Sequence, residues 1–133
     1  MKIQGILNGD ISAILSYMRH TDTITVGDCG LPVPAGVECV DLAVRFGLPG
    51  LMDVLREMKR DMKVEKVILA EEIKTQNPDM DQMISELFSD CEPVYIPHAQ
   101  FKKQTADSKA VIRTGEATAY ANVILQSACI FGE

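Results

Sequence analysis

The sequence contains no tryptophan, and aromatic residues make up only 5% of its 133 positions. A core of this composition must be built from aliphatic side chains and from the seven methionines. No apolar run approaches the ~20 residues that a membrane-spanning helix needs. The amino-terminal segment, MKIQGILNGDISAIL, lacks the continuous apolar stretch of a signal peptide. We therefore expect a protein without a membrane partner that stays in the cytoplasm.

Motifs that bind phosphates, dinucleotides or metals, or that carry a nucleophilic serine, are missing as well. The chain has no GxGxxG, P-loop, GxSxG or HExxH pattern, and its two histidines lie at no metal-ligand spacing with another histidine or cysteine. The four cysteines form no CxxC pair, which favours free thiols in a reducing compartment over disulfides or a metal site. A net charge of −6 argues against a nucleic-acid partner. We expect no metal and no cofactor, which leaves acid–base chemistry or simple binding.

What the chain does contain is a regular alternation of strand and helix patterns. Runs of β-branched or aliphatic residues predict strands near residues 23–27, 37–42, 64–70, 92–97, 109–115 and 122–128. Apolar residues at helical spacing predict helices over about 10–19 and 51–62, one that opens at residues 77–78, and a short helix over 98–107. This alternation predicts one α/β domain over residues 1–133, with helices covering a central sheet. Ligands of such sheets usually bind beyond the strand ends.

The two histidines are the first candidates for acid–base chemistry. His20 follows the first helix, where an imidazole either suits the helix dipole or acts as a general acid or base. Asp22 and Asp28 follow it, and either carboxylate could set the imidazole tautomer, although Asp28 also fits an Asx turn. His98 begins the short helix, and Lys102 lies one turn later. They are either ordinary helix residues or a pair of cationic donors.

Further polar groups lie beside the third and the last predicted strands. Tyr120 and Asn122, with Ala121 between them, offer hydroxyl and amide groups that suit polyhydroxylated ligands. Glu71 and Glu72 could form a pair of catalytic carboxylates. Because neighbouring strand residues point to opposite faces, a solvated helix start is favoured for this pair.

Four ordered segments together resemble the D-ribose pyranase family: ILNGDISAILSYMRHTDTI, GDCGLPVP, AEEIKTQNP and HAQFKKQTADSKAVIRTGEATAYANVIL. The resemblance extends from Gly5 to about Ala128. It implies a three-layer α/β/α fold that assembles into rings, as a homodecamer of two pentamers with the active site between subunits. It also implies an isomerase that interconverts β-D-ribopyranose and β-D-ribofuranose without a metal or cofactor.

The resemblance also implies roles for individual residues. His20 matches the proton donor of the family. The positions that match contacts to the free sugar are Asp28, His98, Lys102, Tyr120, Ala121 and Asn122. The HTDT and YAN segments look closer to the ribose branch than to a related branch that acts on L-fucose. Action on L-fucose or another monosaccharide, a noncatalytic sugar-binding accessory role and an oligomeric scaffold remain the alternatives.

Overall fold

The computed structural model describes residues 1–132, and its named strands form one sheet. Residue 133, the last of the predicted domain, lies outside this range. Most strands are short runs rich in β-branched or aliphatic side chains, which favour extended backbone. The six strands are β1 (Thr23–Gly27), β2 (Glu38–Asp41), β3 (Val64–Ala70), β4 (Glu92–Ile96), β5 (Ala110–Arg113) and β6 (Val123–Ser127). All six predicted strands are confirmed, with bounds that differ by at most two residues.

The directions of the strands place the carboxyl ends of five of them at one edge of the sheet. The order across the sheet is β2-β5-β1-β6-β3-β4. β6 runs antiparallel to its neighbours β1 and β3, whereas the other neighbouring pairs are parallel. One edge therefore carries the carboxyl ends of β1 to β5 and the start of β6, and we call it the carboxyl edge. The opposite edge, with the starts of β1 to β5 and the end of β6, is the amino edge.

Side chains of the strands alternate between the two faces of the sheet, as extended backbone requires. In β6, Val123 and Leu125 belong to a large apolar core on one face, whereas Ile124 belongs to a smaller core on the other. Val67 and Ile68 of β3 are divided in the same way. Both faces are thus apolar at the centre of the sheet, and each must be covered by other elements.

Five helices in the described residues cover these faces: α1 (Gly9–Tyr17), α2 (Leu51–Asp61), α3 (Ile73–Gln76), α4 (Pro78–Leu87) and α5 (His98–Gln104). Helices α1 to α4 contribute to the larger core, and α5 covers the smaller core with the fully buried Phe101. A 3₁₀ turn, Thr105–Asp107, follows α5. The predicted three-layer α/β/α arrangement is therefore confirmed. Within residues 1–132, no helix combines the length and apolarity needed to cross a bilayer.

Asn8 determines where α1 begins. Its side-chain oxygen accepts the backbone N–H of Ile11 at 3.0 Å, which satisfies one of the free donors of the first turn. Replacing Asn8 with alanine is expected to lower the free energy of unfolding by about 1 kcal/mol. Urea denaturation followed by circular dichroism measures this change. Asn8→Asp keeps an acceptor and should unfold at nearly the wild-type urea concentration, so equal losses in both variants would contradict a capping role.

Candidate active site

Asp28 and Asn122 are joined at the carboxyl edge, where β1 ends and β6 begins. The Asn122 amide oxygen accepts the backbone N–H of Asp28 at 2.8 Å, and the amide nitrogen donates to the Asp28 carboxylate at 3.0 Å. These two bonds give both polar atoms of the buried Asn122 side chain a partner. They also identify which of the two atoms is the oxygen and which is the nitrogen. Gly27 makes room for the pair, because a Cβ there would lie 2.9 Å from the Asn122 oxygen. The arrangement holds the Asp28 carboxylate in a fixed position at the end of β1.

The loop that carries Asp28 is held by neighbouring segments. The other carboxylate oxygen of Asp28 accepts the N–H of Gly30 at 2.9 Å, so the Asx turn considered from the sequence is present. Cys29 donates its N–H to the Glu116 carbonyl at 2.9 Å, and its own carbonyl accepts a bond from the Arg113 side chain at 3.0 Å. Asp28 is therefore a turn residue, and the turn itself is anchored on both sides.

His98 and Tyr120 also meet at the carboxyl edge. Their rings make an edge-to-face contact with 5.0 Å between the centroids. The His98 backbone N–H donates to both carboxylate oxygens of Glu72, at 3.0 and 3.1 Å, which fixes the start of α5. Tyr120 has a φ of 53°, an uncommon left-handed conformation for a bulky residue. His98 Nδ1 is buried and has no hydrogen-bond partner among residues 1–132, which is rare for a buried polar atom.

Lys102 and Ala121 are placed differently from these residues. Lys102 is exposed on α5, one turn beyond His98. Ala121 is fully buried in the larger core, which leaves only its backbone for contact with a ligand. The side chains that the carboxyl edge gathers are those of Asp28, His98, Tyr120 and Asn122, and we call this group the carboxyl-edge cluster.

His20 lies at the amino edge, away from the carboxyl-edge cluster. It precedes β1 whereas Asp28 follows it, and the five residues of β1 span roughly 16 Å at about 3.3 Å per residue. His20 Nε2 lies 3.1 Å from Glu65 Oε2. Asp22 instead accepts the backbone N–H of Arg19 at 2.8 Å. The prediction that Asp22 or Asp28 orients the His20 ring is therefore wrong within one chain, and Glu65 contacts the ring instead.

The turn that carries His20 is tied to the end of β6. The Asp22 N–H donates to the Arg19 carbonyl at 3.1 Å and closes a four-residue turn, and the Thr21 N–H donates to the Ser127 carbonyl at 3.0 Å. Thr21 has a φ of 73°, where a β-branched residue is strained. Such strain persists only where the surroundings hold it, and it clusters at functional sites. The His20 side chain is 48% exposed and lines a surface cleft of about 400 Å³.

Nearly the whole chain matches one protein family. Residues 1–130 match the model of the RbsD / FucU transport protein family. The chain belongs to this family. Among its relatives, the D-ribose pyranase of Halalkalibacterium halodurans is 50% identical over 131 residues, which cover 98% of this chain and 100% of the relative. The D-ribose pyranase of Bacillus cereus is 49% identical with the same coverage. The resemblance read from the four sequence segments is therefore confirmed.

Several solved structures share the fold. RbsD from Bacillus subtilis, in complex with D-ribose, has a TM-score of 0.97 at 48% identity, over 98% of this chain and 100% of that chain. FucU from Bifidobacterium longum has a TM-score of 0.80 at 19% identity, over 94% and 97% of the two chains. The fucose mutarotase of Streptococcus pneumoniae, in complex with L-fucose, has a TM-score of 0.80 at 17% identity, over 94% and 95%. At these lower identities the last two show a common fold only.

Three residues that position the two histidines could hardly be identified from the sequence. Glu72 does precede a helix, as predicted, but its carboxylate also binds the N–H of His98. Glu65 is 45 residues from His20, and its only signal is a charge inside the most apolar strand of the chain. Gln126 donates to Glu65 Oε1 at 2.7 Å from the neighbouring strand. Contacts of this kind depend on strand pairing, which local patterns do not reveal.

Proposed function

We propose that this chain is a cytoplasmic isomerase that interconverts β-D-ribopyranose and β-D-ribofuranose. The observation that carries the proposal is the relation to D-ribose pyranases, at about half identity over 98% of the chain. The match to RbsD from Bacillus subtilis, whose structure holds D-ribose, supports the choice of sugar. The four cysteines are unpaired in residues 1–132, which is compatible with a reducing compartment.

The proposed reaction needs only acid–base chemistry. When the ring opens, the bond between C1 and the ring oxygen breaks, the anomeric hydroxyl loses a proton, and the ring oxygen gains one. A different hydroxyl then attacks the aldehyde carbon and loses its proton, and the former carbonyl oxygen gains one. We assign the proton exchange to His20, because imidazole is the side chain best suited to give and take protons near neutral pH.

We assign sugar binding to the carboxyl-edge cluster and Lys102. The fixed carboxylate of Asp28 can accept hydrogen bonds from sugar hydroxyls, and Asn122 keeps it in place. The unpartnered Nδ1 of His98 and the hydroxyl of Tyr120 supply further polar contacts beside it. Lys102 would add a cationic donor from α5, and Ala121 would contribute through its backbone.

We further propose that His20 acts on a sugar held by a neighbouring chain. The length of β1 keeps His20 too far from the carboxyl-edge cluster for one sugar to contact both within a single chain. Both edges expose large apolar side chains, a feature of interaction surfaces. Phe46, after β2, is 78% exposed, and Phe131, beside His20, is 77% exposed. Head-to-tail contact of unlike surfaces forms a ring when the rotation between neighbours closes, and the homodecamer of two pentamers stays a prediction of that kind.

Saturation-transfer NMR on free sugars tests the proposed reaction. We expect the purified protein to accelerate pyranose–furanose exchange of D-ribose, and to act on L-fucose much more weakly at the same concentration. Line broadening of ribose without faster exchange would indicate a binding protein, and the absence of both effects would favour a scaffold. Faster exchange of L-fucose than of D-ribose would place the chain in the fucose branch instead.

A further inference from the structure

Glu65 lies in an irregular part of β3 at the amino edge. Val64 and Lys66 pair with consecutive residues of β6, so Glu65 is an additional residue that shifts the register, as in a β-bulge. The burial pattern shows the same shift. Val64 and Val67 both pack into the larger core, although residues three apart in a regular strand point to opposite faces. A bulge bends its strand and redirects a side chain, and bulges are frequent beside active sites. The irregularity in the backbone of β3 therefore lies at Glu65.

The Glu65 carboxylate connects two side chains from different elements. Its Oε1 accepts the Gln126 amide at 2.7 Å, and its Oε2 lies 3.1 Å from His20 Nε2. The hydrogen bonds from Gln126 and His20, in that order, lower the pKa of the Glu65 carboxyl below its ordinary value. Because an ionised carboxylate only accepts hydrogen bonds, His20 Nε2 must carry the proton in this contact. The other ring nitrogen, Nδ1, is then the one left to exchange protons.

We propose that Glu65, held by Gln126, is a positioning residue that fixes a proton on His20 Nε2 and leaves Nδ1 to exchange protons with the sugar. This inference rests on the proposed isomerase function. In ring opening, Nδ1 takes the anomeric proton while the electron pair of the breaking C1–O bond passes to the ring oxygen. The same proton then moves from Nδ1 to that oxygen, and reclosure repeats the transfer with a different hydroxyl. The carboxylate stabilises the imidazolium that exists between the two transfers.

Glu65→Gln tests this role with little change in shape. Since Gln126 donates to the side-chain oxygen, the new amide nitrogen should face His20 and draw the ring proton to Nδ1. We expect kcat for ribose ring exchange to fall about 10- to 100-fold, with KM nearly unchanged because Glu65 is not assigned a sugar contact. Gln126→Ala should lower kcat in the same direction by a smaller factor. Saturation transfer at a series of ribose concentrations separates the two constants.

Glu86→Gln is the matched control. Glu86 also accepts a glutamine amide, from Gln82 at 3.0 Å, but it lies on the exposed face of α4 without a histidine. We expect wild-type kcat and KM from this variant. Circular dichroism and sedimentation velocity first establish that each variant is folded and assembled, which is expected because the Glu65 side chain is already 33% exposed.

Nitrogen-15 spectra of protein labelled only at histidine provide a readout that does not require activity. The chain has two histidines, and His98→Ala assigns their signals. We expect the His20 proton on Nε2 in the wild type and a shift toward Nδ1 in Glu65→Gln. An unchanged kcat, a loss confined to KM, or a tautomer that the substitution leaves unchanged would each overturn the inference. If the wild type does not exchange ribose, the proposed function fails, and the tautomer comparison still tests the Glu65–His20 contact.

Discussion

Replacing His20 with alanine is expected to slow ribose ring exchange by about 10²- to 10⁴-fold, the contribution typical of one general acid–base group. Every proton that moves in the proposed reaction passes through this imidazole. The side chain is 48% exposed and lies outside both apolar cores, so its removal should leave the fold intact. Saturation-transfer NMR on D-ribose measures the loss.

His20→Gln separates proton exchange from hydrogen bonding. A glutamine amide can still donate to the Glu65 carboxylate, but it cannot take up a proton near neutral pH. We therefore expect the same loss of exchange as with alanine. Sedimentation velocity shows whether both variants assemble as the wild type does. Near-wild-type exchange in either assembled variant would remove His20 from the mechanism.

Mixing two inactive variants is expected to restore activity if the site is shared between chains. His20→Ala removes the proton-exchanging group from the amino edge, and His98→Ala removes a binding group from the carboxyl edge. When the two variants assemble at random in equal amounts, roughly a quarter of the interfaces combine two intact halves, given head-to-tail contacts. Co-expression with different affinity tags, followed by purification through both tags, yields the mixed assemblies. Their ribose exchange is compared with that of each variant alone.

A mixture of His20→Ala and His20→Gln chains is the control for this experiment. Both substitutions lie on the same edge, so no interface in that mixture contains an intact His20 and activity should stay at the level of the separate variants. Failure of the His20→Ala and His98→Ala mixture to recover any exchange, with mixed assembly demonstrated, would show that His20 and His98 do not contribute to one shared site.

The secondary structure was predictable because its signals are local. The β-branched run of residues 23–27 predicts β1 with both bounds correct. Part of the carboxyl-edge cluster was also within reach, because Asp28 follows β1 and His98 follows β4. In a largely parallel sheet such carboxyl ends meet at one edge. Residues 120–122 precede β6 and reach the same edge only because β6 runs antiparallel to its neighbours, which has no local signal.

The separation of His20 from Asp28 could also be predicted from the sequence, because it follows from the length of β1. A strand of five residues separates them, which places them at opposite edges and excludes contact within a chain. The partner of His20 was not predictable in this way. Glu65 reaches the ring only because β3 pairs with β6 and bulges at that point, and neither strand order nor a register shift has a local signature.

If His20 and the carboxyl-edge cluster act together only across an interface, as proposed, their separation within one chain makes catalysis subject to mass action. In the proposed shared site, each chain would carry halves of two different sites, because its imidazole would serve one neighbour and its carboxyl edge would receive the imidazole of another. We therefore expect dilution below the dissociation constant of the proposed assembly to lower activity more steeply than it lowers the concentration of chain. On this proposal a lone chain would still hold a sugar at its carboxyl edge but would not turn it over, so turnover would begin only once enough chains have accumulated to associate.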